Sequence, residues 1–306
     1  MNINSLKIRL AGLGLENPTT LSSGILGYSP ESLQRIAESG AGAVITKSVG
    51  LKSRMGYPNP TVVQGSCGII NAMGLPNPGI AKYASEISFT KTVIKVPLIV
   101  SVYGYSPEEY AEVAKTATEA GADAVELNVS CPHVEDTGSE IGQKPTLLTQ
   151  VVRQVKAAIS KPIIVKLSPN VTDIVELARA ATNAGADALT AINTVRAIAI
   201  DAETALPVLS NTRGGLSGPA IKPIALRAVY DIYEQVKAPI FGCGGVTTWQ
   251  DAVEFLLAGA SAVQIGTAIA QKDPAVFTAV NRGVTAYLKK KKFRSVKEIV
   301  GQAHRS

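Results

Sequence analysis

Apolar residues in this chain gather in short runs that end in polar residues, as in Ala43-Val44-Ile45-Thr46-Lys47 and Ile163-Ile164-Val165-Lys166. Near-continuous runs of this length predict strands buried on both faces, the mark of a parallel sheet. Such strand cores fall at 20–23, 43–47, 98–102, 124–128, 163–166, 188–192, 240–242 and 262–265. A phrase recurs just before several of them: Ser39-Gly40-Ala41-Gly42-Ala43-Val44, Ala120-Gly121-Ala122-Asp123-Ala124-Val125, Ala184-Gly185-Ala186-Asp187-Ala188-Leu189 and Ala258-Gly259-Ala260-Ser261-Ala262-Val263. In each, a glycine can take the left-handed conformation that ends a helix, and an apolar run then opens a strand. Helix starts are marked at Ser29-Pro30-Glu31 and Ser106-Pro107-Glu108, where a serine caps and a proline takes the first helical position.

About eight such units predict one α/β domain over residues 1–306, a (β/α)8 TIM barrel rather than an open doubly wound sheet. The stretch 6–15 reads as a short N-terminal hairpin ahead of the barrel. Two strand-to-helix connections, 48–78 and 193–219, exceed the usual few residues and are rich in Gly, Pro and Asn. They are expected to be long loops over the C-terminal face, walls or lids of a pocket.

Composition narrows the class. At 306 residues, 46% hydrophobic and 18% charged, the chain can bury one large core. Residues 1–7 lack the apolar segment of a signal peptide, and no apolar run reaches the roughly 18 residues that span a bilayer, so a cytoplasmic protein without membrane partners is expected. Cys67, Cys131 and Cys243 lie far apart with no C-x-x-C pair, which leaves any iron–sulfur cluster to a partner chain. The net charge of +6 is scattered and calls for no nucleic acid; the one run, Lys289 to Lys292, reads as a solvated helix end.

The C-terminal ends of the predicted strands carry Ser23, Lys47, Ser101, Asn128, Lys166, Asn193 and Thr194. Two lysines suit a ligand whose negative charge is delocalised, and asparagines can donate to and accept from the edge of a heterocycle. After the seventh and eighth strands come Gly242-Cys243-Gly244-Gly245 and Gly266-Thr267, each before a helix, the place where such barrels hold a phosphate. No G-x-G-x-x-G opens a βαβ unit, so a Rossmann site has no support. Within Glu126-Leu127-Asn128-Val129-Ser130-Cys131-Pro132-His133, the proline stops the strand and leaves the Cys131 thiol in a loop beyond it. His133 and His304 are the only histidines, so Cys131 is the candidate acid or base, activated by Lys47 or Lys166. Cys67 and Cys243 read as packing or turn residues.

This constellation resembles the class 1 dihydroorotate dehydrogenases over nearly the whole chain. The marks are Ile45-Thr46-Lys47-Ser48, Asn71-Ala72-Met73-Gly74-Leu75, Asn128-Val129-Ser130-Cys131-Pro132, Ile164-Val165-Lys166-Leu167, Ile192-Asn193-Thr194, Gly215-Leu216-Ser217-Gly218, Gly242-Cys243-Gly244-Gly245 and Ile265-Gly266-Thr267, in that order. The resemblance implies an FMN enzyme of pyrimidine biosynthesis that oxidises dihydroorotate to orotate, with Cys131 as the base. Ser23, Lys47, Ser48, Ser101, Asn128, Lys166, Ile192, Gly218, Gly244, Gly245, Gly266 and Thr267 would hold the flavin. Lys47, Asn71, Ala72, Met73, Gly74, Leu75, Asn128, Asn193 and Thr194 would surround the substrate. Asn193-Thr194 is most similar to the NAD-linked subclass 1B, which implies a second subunit carrying FAD and a [2Fe–2S] cluster, two of each chain assembled around a homodimer of catalytic subunits. His133 and Ser101 stand where the family usually has Asn, and the segment after His133 lacks the customary glycine pair. A fumarate-linked class 1 enzyme, a dihydropyrimidine dehydrogenase-like flavin barrel and, more remotely, a tRNA dihydrouridine synthase stand as alternatives.

Overall fold

The computed structural model describes residues 5–130 and 141–305. The strands are, in chain order, β1 (Ile8–Leu10), β2 (Leu13–Leu15), β3 (Thr19–Leu21), β4 (Val44–Ile45), β5 (Val62–Gly65), β6 (Gly68–Asn71), β7 (Leu98–Val102) and β8 (Ala124–Asn128). They continue as β9 (Ile163–Leu167), β10 (Ala188–Ala191), β11 (Val195–Ala197), β12 (Ile200–Asp201), β13 (Leu206–Pro207), β14 (Gly214–Ser217), β15 (Ile240–Cys243) and β16 (Ala262–Ile265). The helices are α1 (Pro30–Glu38), α2 (Ile80–Val93), α3 (Pro107–Glu119), α4 (Pro145–Ala158), α5 (Ile174–Asn183), α6 (Lys222–Gln235), α7 (Trp249–Ala258), α8 (Ala268–Lys272) and α9 (Val276–Lys291).

Eight parallel strands pair in the order β3-β16-β15-β10-β9-β8-β7-β4. A parallel bridge between Thr20 and Ala43, with the Leu21 N–H donating to the Ala43 carbonyl at 3.0 Å, joins β3 to β4 and closes the ring. The expected (β/α)8 barrel is therefore present. Gly40, Gly121, Gly185 and Gly259 of the recurring phrase all have φ between +99° and +118°, the left-handed turn inferred from the repeat.

Two copies of that phrase also carry an aspartate with a shared task. Asp123 accepts the Leu98 N–H at 2.7 Å and pairs with Lys91 of α2 at 2.6 Å. Asp187 does the same two units later, for the Ile163 N–H and for Lys156 of α4, both at 2.9 Å. Each carboxylate ties the start of the preceding strand to the helix before it, satisfying a backbone donor that the barrel rim would otherwise leave open.

Period-two alternation along the strands divides the interior. Val125, Leu127, Val165, Leu167, Leu189, Val263 and Ile265 point outward and pack against the helices. Ile45, Ile99, Ala124, Ile164, Ala188, Phe241 and Ala262 point inward and form a second cluster with Leu10, Leu13 and Leu15. The N-terminal hairpin, β1 paired with β2 through the turn Ala11-Gly12, is thus the plug of the barrel's lower end.

The two long connections differ from the loops expected of them. Part of each is ordered in one antiparallel sheet, β11-β14-β6-β5, in which Gly215 of the later segment faces Asn71 of the earlier one. Short strands rich in glycine carry no alternation to read, and β6 and β14, which join the two segments, lie about 140 residues apart. Lys289, Lys290 and Lys291 occupy the exposed last turn of α9, as expected. Among the described residues no helix is long and apolar enough to cross a membrane.

Leu15 is 2% exposed and seals the plug, so Leu15→Ala should lower stability by roughly 2–5 kcal/mol, read as a lower urea midpoint at unchanged slope. An unchanged midpoint would show that the hairpin only rests on the barrel.

Candidate active site

Two residues further up each barrel strand, the inward positions turn polar. Ala124 is followed by Glu126 and Asn128, Ile164 by Lys166, Ala188 by Thr190, Phe241 by Cys243 and Ala262 by Gln264. Parallel register sets Asn128 opposite Lys166, and Lys166 opposite Thr190, on successive strands. Asn128, Lys166, Cys243 and Gln264 line the floor of a cavity of about 960 Å³ at the C-terminal end of the barrel, near the upper end of small-molecule sites, and Glu126 and Thr190 lie beneath it.

The cavity collects most of the residues singled out from the sequence. Ser23, Lys47, Ser48, Asn71, Ala72, Met73, Gly74, Leu75, Asn128, Lys166, Ile192, Asn193, Thr194, Gly218, Gly244, Gly245, Gly266 and Thr267 all line it. Ser101 does not. It is fully buried behind the wall and reaches the cavity only through hydroxyl contacts with Ser48 at 2.8 Å and Ser23 at 3.3 Å. Cys131 and His133 lie outside the described residues.

Hydrogen bonds orient the amides of one wall. Asn193 donates to the Asn128 side-chain carbonyl at 3.2 Å, and Asn128 in turn donates to Ser48 Oγ at 3.0 Å. Asn71 donates to the Gly215 carbonyl at 3.3 Å, which anchors this residue to the antiparallel sheet. Lys47, 8% exposed, places its ammonium 4.7 Å from the centre of the Tyr28 ring, a cation–π contact. At the opposite wall Thr267 donates to Ser217 Oγ at 2.8 Å.

Gly244 and Gly245 have φ of +134° and +79°, a backbone that side-chain-bearing residues rarely adopt. The loop is held from below. Asp251, in the first turn of α7, accepts from the N–H groups of Thr247 and Thr248 and pairs with Lys222 of α6 at 2.7 Å. Burial alone would raise the Asp251 carboxyl, but the Lys222 ammonium and the threonine donors outweigh it and hold it at about 2.

The sequence reading missed Glu126 and Gln264. Glu126 is fully buried, its Oε2 accepting from Gln264 Nε2 at 2.7 Å and from Thr190 Oγ1 at 2.9 Å. Its Oε1 lies 3.7 Å from Lys166 Nζ and accepts no hydrogen bond. Burial pushes the Lys166 ammonium towards neutrality, yet the Glu126 carboxylate, with a smaller contribution from Cys243, holds it above the ordinary lysine value. A signal was available: Glu126 stands two residues before Asn128, and alternation puts both on the inner face. Arg54, Arg196 and Arg213 also border the mouth, whereas none of the described lining residues is an Asp or Glu. The cavity is built for an anion.

Comparison with known proteins agrees with this geometry. A family model described as dihydroorotate dehydrogenase matches residues 5–288. The catalytic subunit of dihydroorotate dehydrogenase B (NAD(+)) from Thermococcus kodakarensis is 53% identical over 306 residues, covering 99% of each chain. Its counterpart from Pyrococcus furiosus is 54% identical over 98% of this chain and 99% of its own. The Methanothermobacter thermautotrophicus subunit is 52% identical over 98% of each. With matches that run almost end to end, and with the residues of the resemblance gathered around one cavity, this chain belongs to the dihydroorotate dehydrogenase family.

Proposed function

We propose that the chain is the catalytic subunit of an NAD-linked dihydroorotate dehydrogenase, which oxidises dihydroorotate to orotate on FMN in cytoplasmic pyrimidine biosynthesis. The observation that carries this reading is the single cavity that joins Lys47, Lys166, Asn71, Asn128 and Asn193 to the Gly244-Gly245 turn.

The residues fit FMN. Lys166 has three N–H donors, yet its hydrogen bonds to Ser22 and Gln264 are 3.3 and 3.4 Å long, so its ammonium retains capacity for an acceptor in the cavity. Among the described residues the Lys47 ammonium has only the Tyr28 ring as a recorded partner. Gly244, Gly245, Gly266 and Thr267 would take the phosphate, where backbone N–H groups can approach it without a Cβ in the way. Ser23, Ser48, Ile192 and Gly218 would flank the rings, and Ser101 would support Ser23 and Ser48 from behind.

FMN, when bound, supplies the two-electron acceptor for the hydride leaving C6 of dihydroorotate. The protein's own share is orientation, charge and one proton. Asn71 to Leu75, Asn128, Asn193 and Thr194 would grip the edge of the pyrimidine, with Lys47 between it and the flavin. The Cys131 thiolate would remove the C5 proton as the hydride departs, so that one C–H bond breaks heterolytically at each carbon and the C5–C6 double bond forms. The Lys166 cation favours the electron-rich form of the cofactor.

A partner subunit carrying FAD and a [2Fe–2S] cluster would pass the electrons on to NAD. The names of the relatives, catalytic subunit and NAD(+), support that partner. An assembly of two catalytic and two electron-transfer chains around a catalytic homodimer completes the proposal.

Purified protein should be yellow, and anaerobic dihydroorotate should bleach its flavin; a colourless chain that FMN cannot reconstitute would overturn the assignment. Cys131→Ala should retain the flavin absorbance but slow its reduction by roughly 10²–10⁴-fold in stopped flow. A wild-type rate would remove Cys131 from the reaction. The isolated chain should reduce NAD poorly until the partner subunit is added, and efficient NAD reduction by the chain alone would refute the NAD-linked assembly.

A further inference from the structure

Beneath the cavity floor lies a carboxylate that the proposed reaction does not use. Glu126 is fully buried and does not line the cavity, whereas Lys166 and Gln264 do. Gln264 bridges the two charges: its Nε2 donates to Glu126 Oε2 at 2.7 Å, and its Oε1 accepts from Lys166 at 3.4 Å. Thr190 supplies the second fixed donor to the same carboxylate oxygen. The other carboxylate oxygen faces Lys166 at 3.7 Å with no hydrogen-bond donor of its own.

This arrangement is poor as a device for stability. A buried ion pair of such length repays little of its desolvation, and apolar side chains of similar volume fill a barrel interior at least as well. It is well suited to fixing a charge. Glu126 is held by two donors, Thr190 on β10 and Gln264 on β16, while among the described residues the ammonium opposite it has no short hydrogen bond. The cation is thereby anchored by attraction but left free to serve the cavity. A lysine this deeply buried, without a counter-charge, would shed its proton.

We propose that Glu126 is a positioning residue that acts through Lys166: it is the fixed counter-charge that keeps the Lys166 ammonium cationic at the cavity floor, where it tunes the reduction potential of the bound flavin. The flavin part of this inference rests on the function proposed above. The Glu126–Lys166 linkage itself rests on the geometry alone. Cys243 on β15 is the other titratable group facing Lys166 among the described residues; Ser22 and Gln264 are uncharged.

Two measurements test it. In flavin-stripped protein, acylation of Lys166 by acetic anhydride at pH 8, followed by peptide mass spectrometry, should be at least about tenfold faster in Glu126→Gln, because a drop of one unit in the lysine's proton affinity raises the free amine tenfold. In the holoenzyme, Glu126→Gln should lower the midpoint potential of bound FMN in the direction that Lys166→Met lowers it. Adding Glu126→Gln to Lys166→Met should produce no further shift. Equal acylation rates, an unchanged or raised potential, or the same shift in both backgrounds would each overturn the proposal. Should the Gln variant fail to fold, Glu126→Asp, which keeps the charge but withdraws it by one methylene, should show smaller changes of the same sign. A wild-type protein that binds no FMN would defeat the flavin reading, while the acylation rates would still decide whether Glu126 holds Lys166.

Discussion

Everything in this molecule depends on the two-residue pleat of a closed parallel barrel. Each inward side chain sits one layer above the inward side chain two residues earlier, and neighbouring strands hold their layers level. The succession Ala124, Glu126, Asn128 therefore climbs from an apolar base, through a buried polar layer, to the cavity wall. Ala262, Gln264 and Gly266 make the same climb on β16. Chemistry is assigned by height along the strand, and the hairpin that plugs the lower end makes the upper end the open one.

The middle layer is where folding and function compete. Polar groups in a barrel interior are tolerated only if they satisfy one another, and Glu126 Oε2, Thr190 and Gln264 do so with bonds of 2.7 to 3.1 Å. Lys166 and the Glu126 oxygen that faces it are the exception, since among the described residues the lysine's hydrogen bonds are long and that oxygen accepts none. The same Lys–carboxylate chemistry appears at the helix side of the barrel, where Lys91 pairs with Asp123 and Lys156 with Asp187 at the rim. Those pairs are partly solvated, carry backbone hydrogen bonds at strand starts and face no cavity. Burial and direction, rather than residue type, separate a structural ion pair from one that can act on a ligand.

Much was legible beforehand because it is local. The Gly-Ala-Asp-Ala phrases marked helix-to-strand junctions through a conformation that glycine adopts at little cost, and the Ser-Pro starts marked helices that are capped as expected. Strand ends could be listed from apolar runs, and the barrel rule then placed Lys47, Asn128, Lys166 and Asn193 on one face. Ser101 satisfied the same rule but stands behind Ser23 and Ser48, because a strand-end position fixes height and not which neighbour lies in front. The long connections were placed over the right face, yet their pairing into β11-β14-β6-β5 was invisible.

By itself the sequence determined the repeating β/α units, the face on which function collects, the phosphate-type glycine turns and the family resemblance, since each of these is written in residues close together along the chain. Only the tertiary structure decided that Glu126 sits 3.7 Å from Lys166, that Gln264 bridges them, and that Asn71 is held by Gly215. Those contacts join residues 40 to roughly 140 positions apart, and the pairing of distant strands, in the barrel and in the sheet above it, rather than any local preference sets their distances.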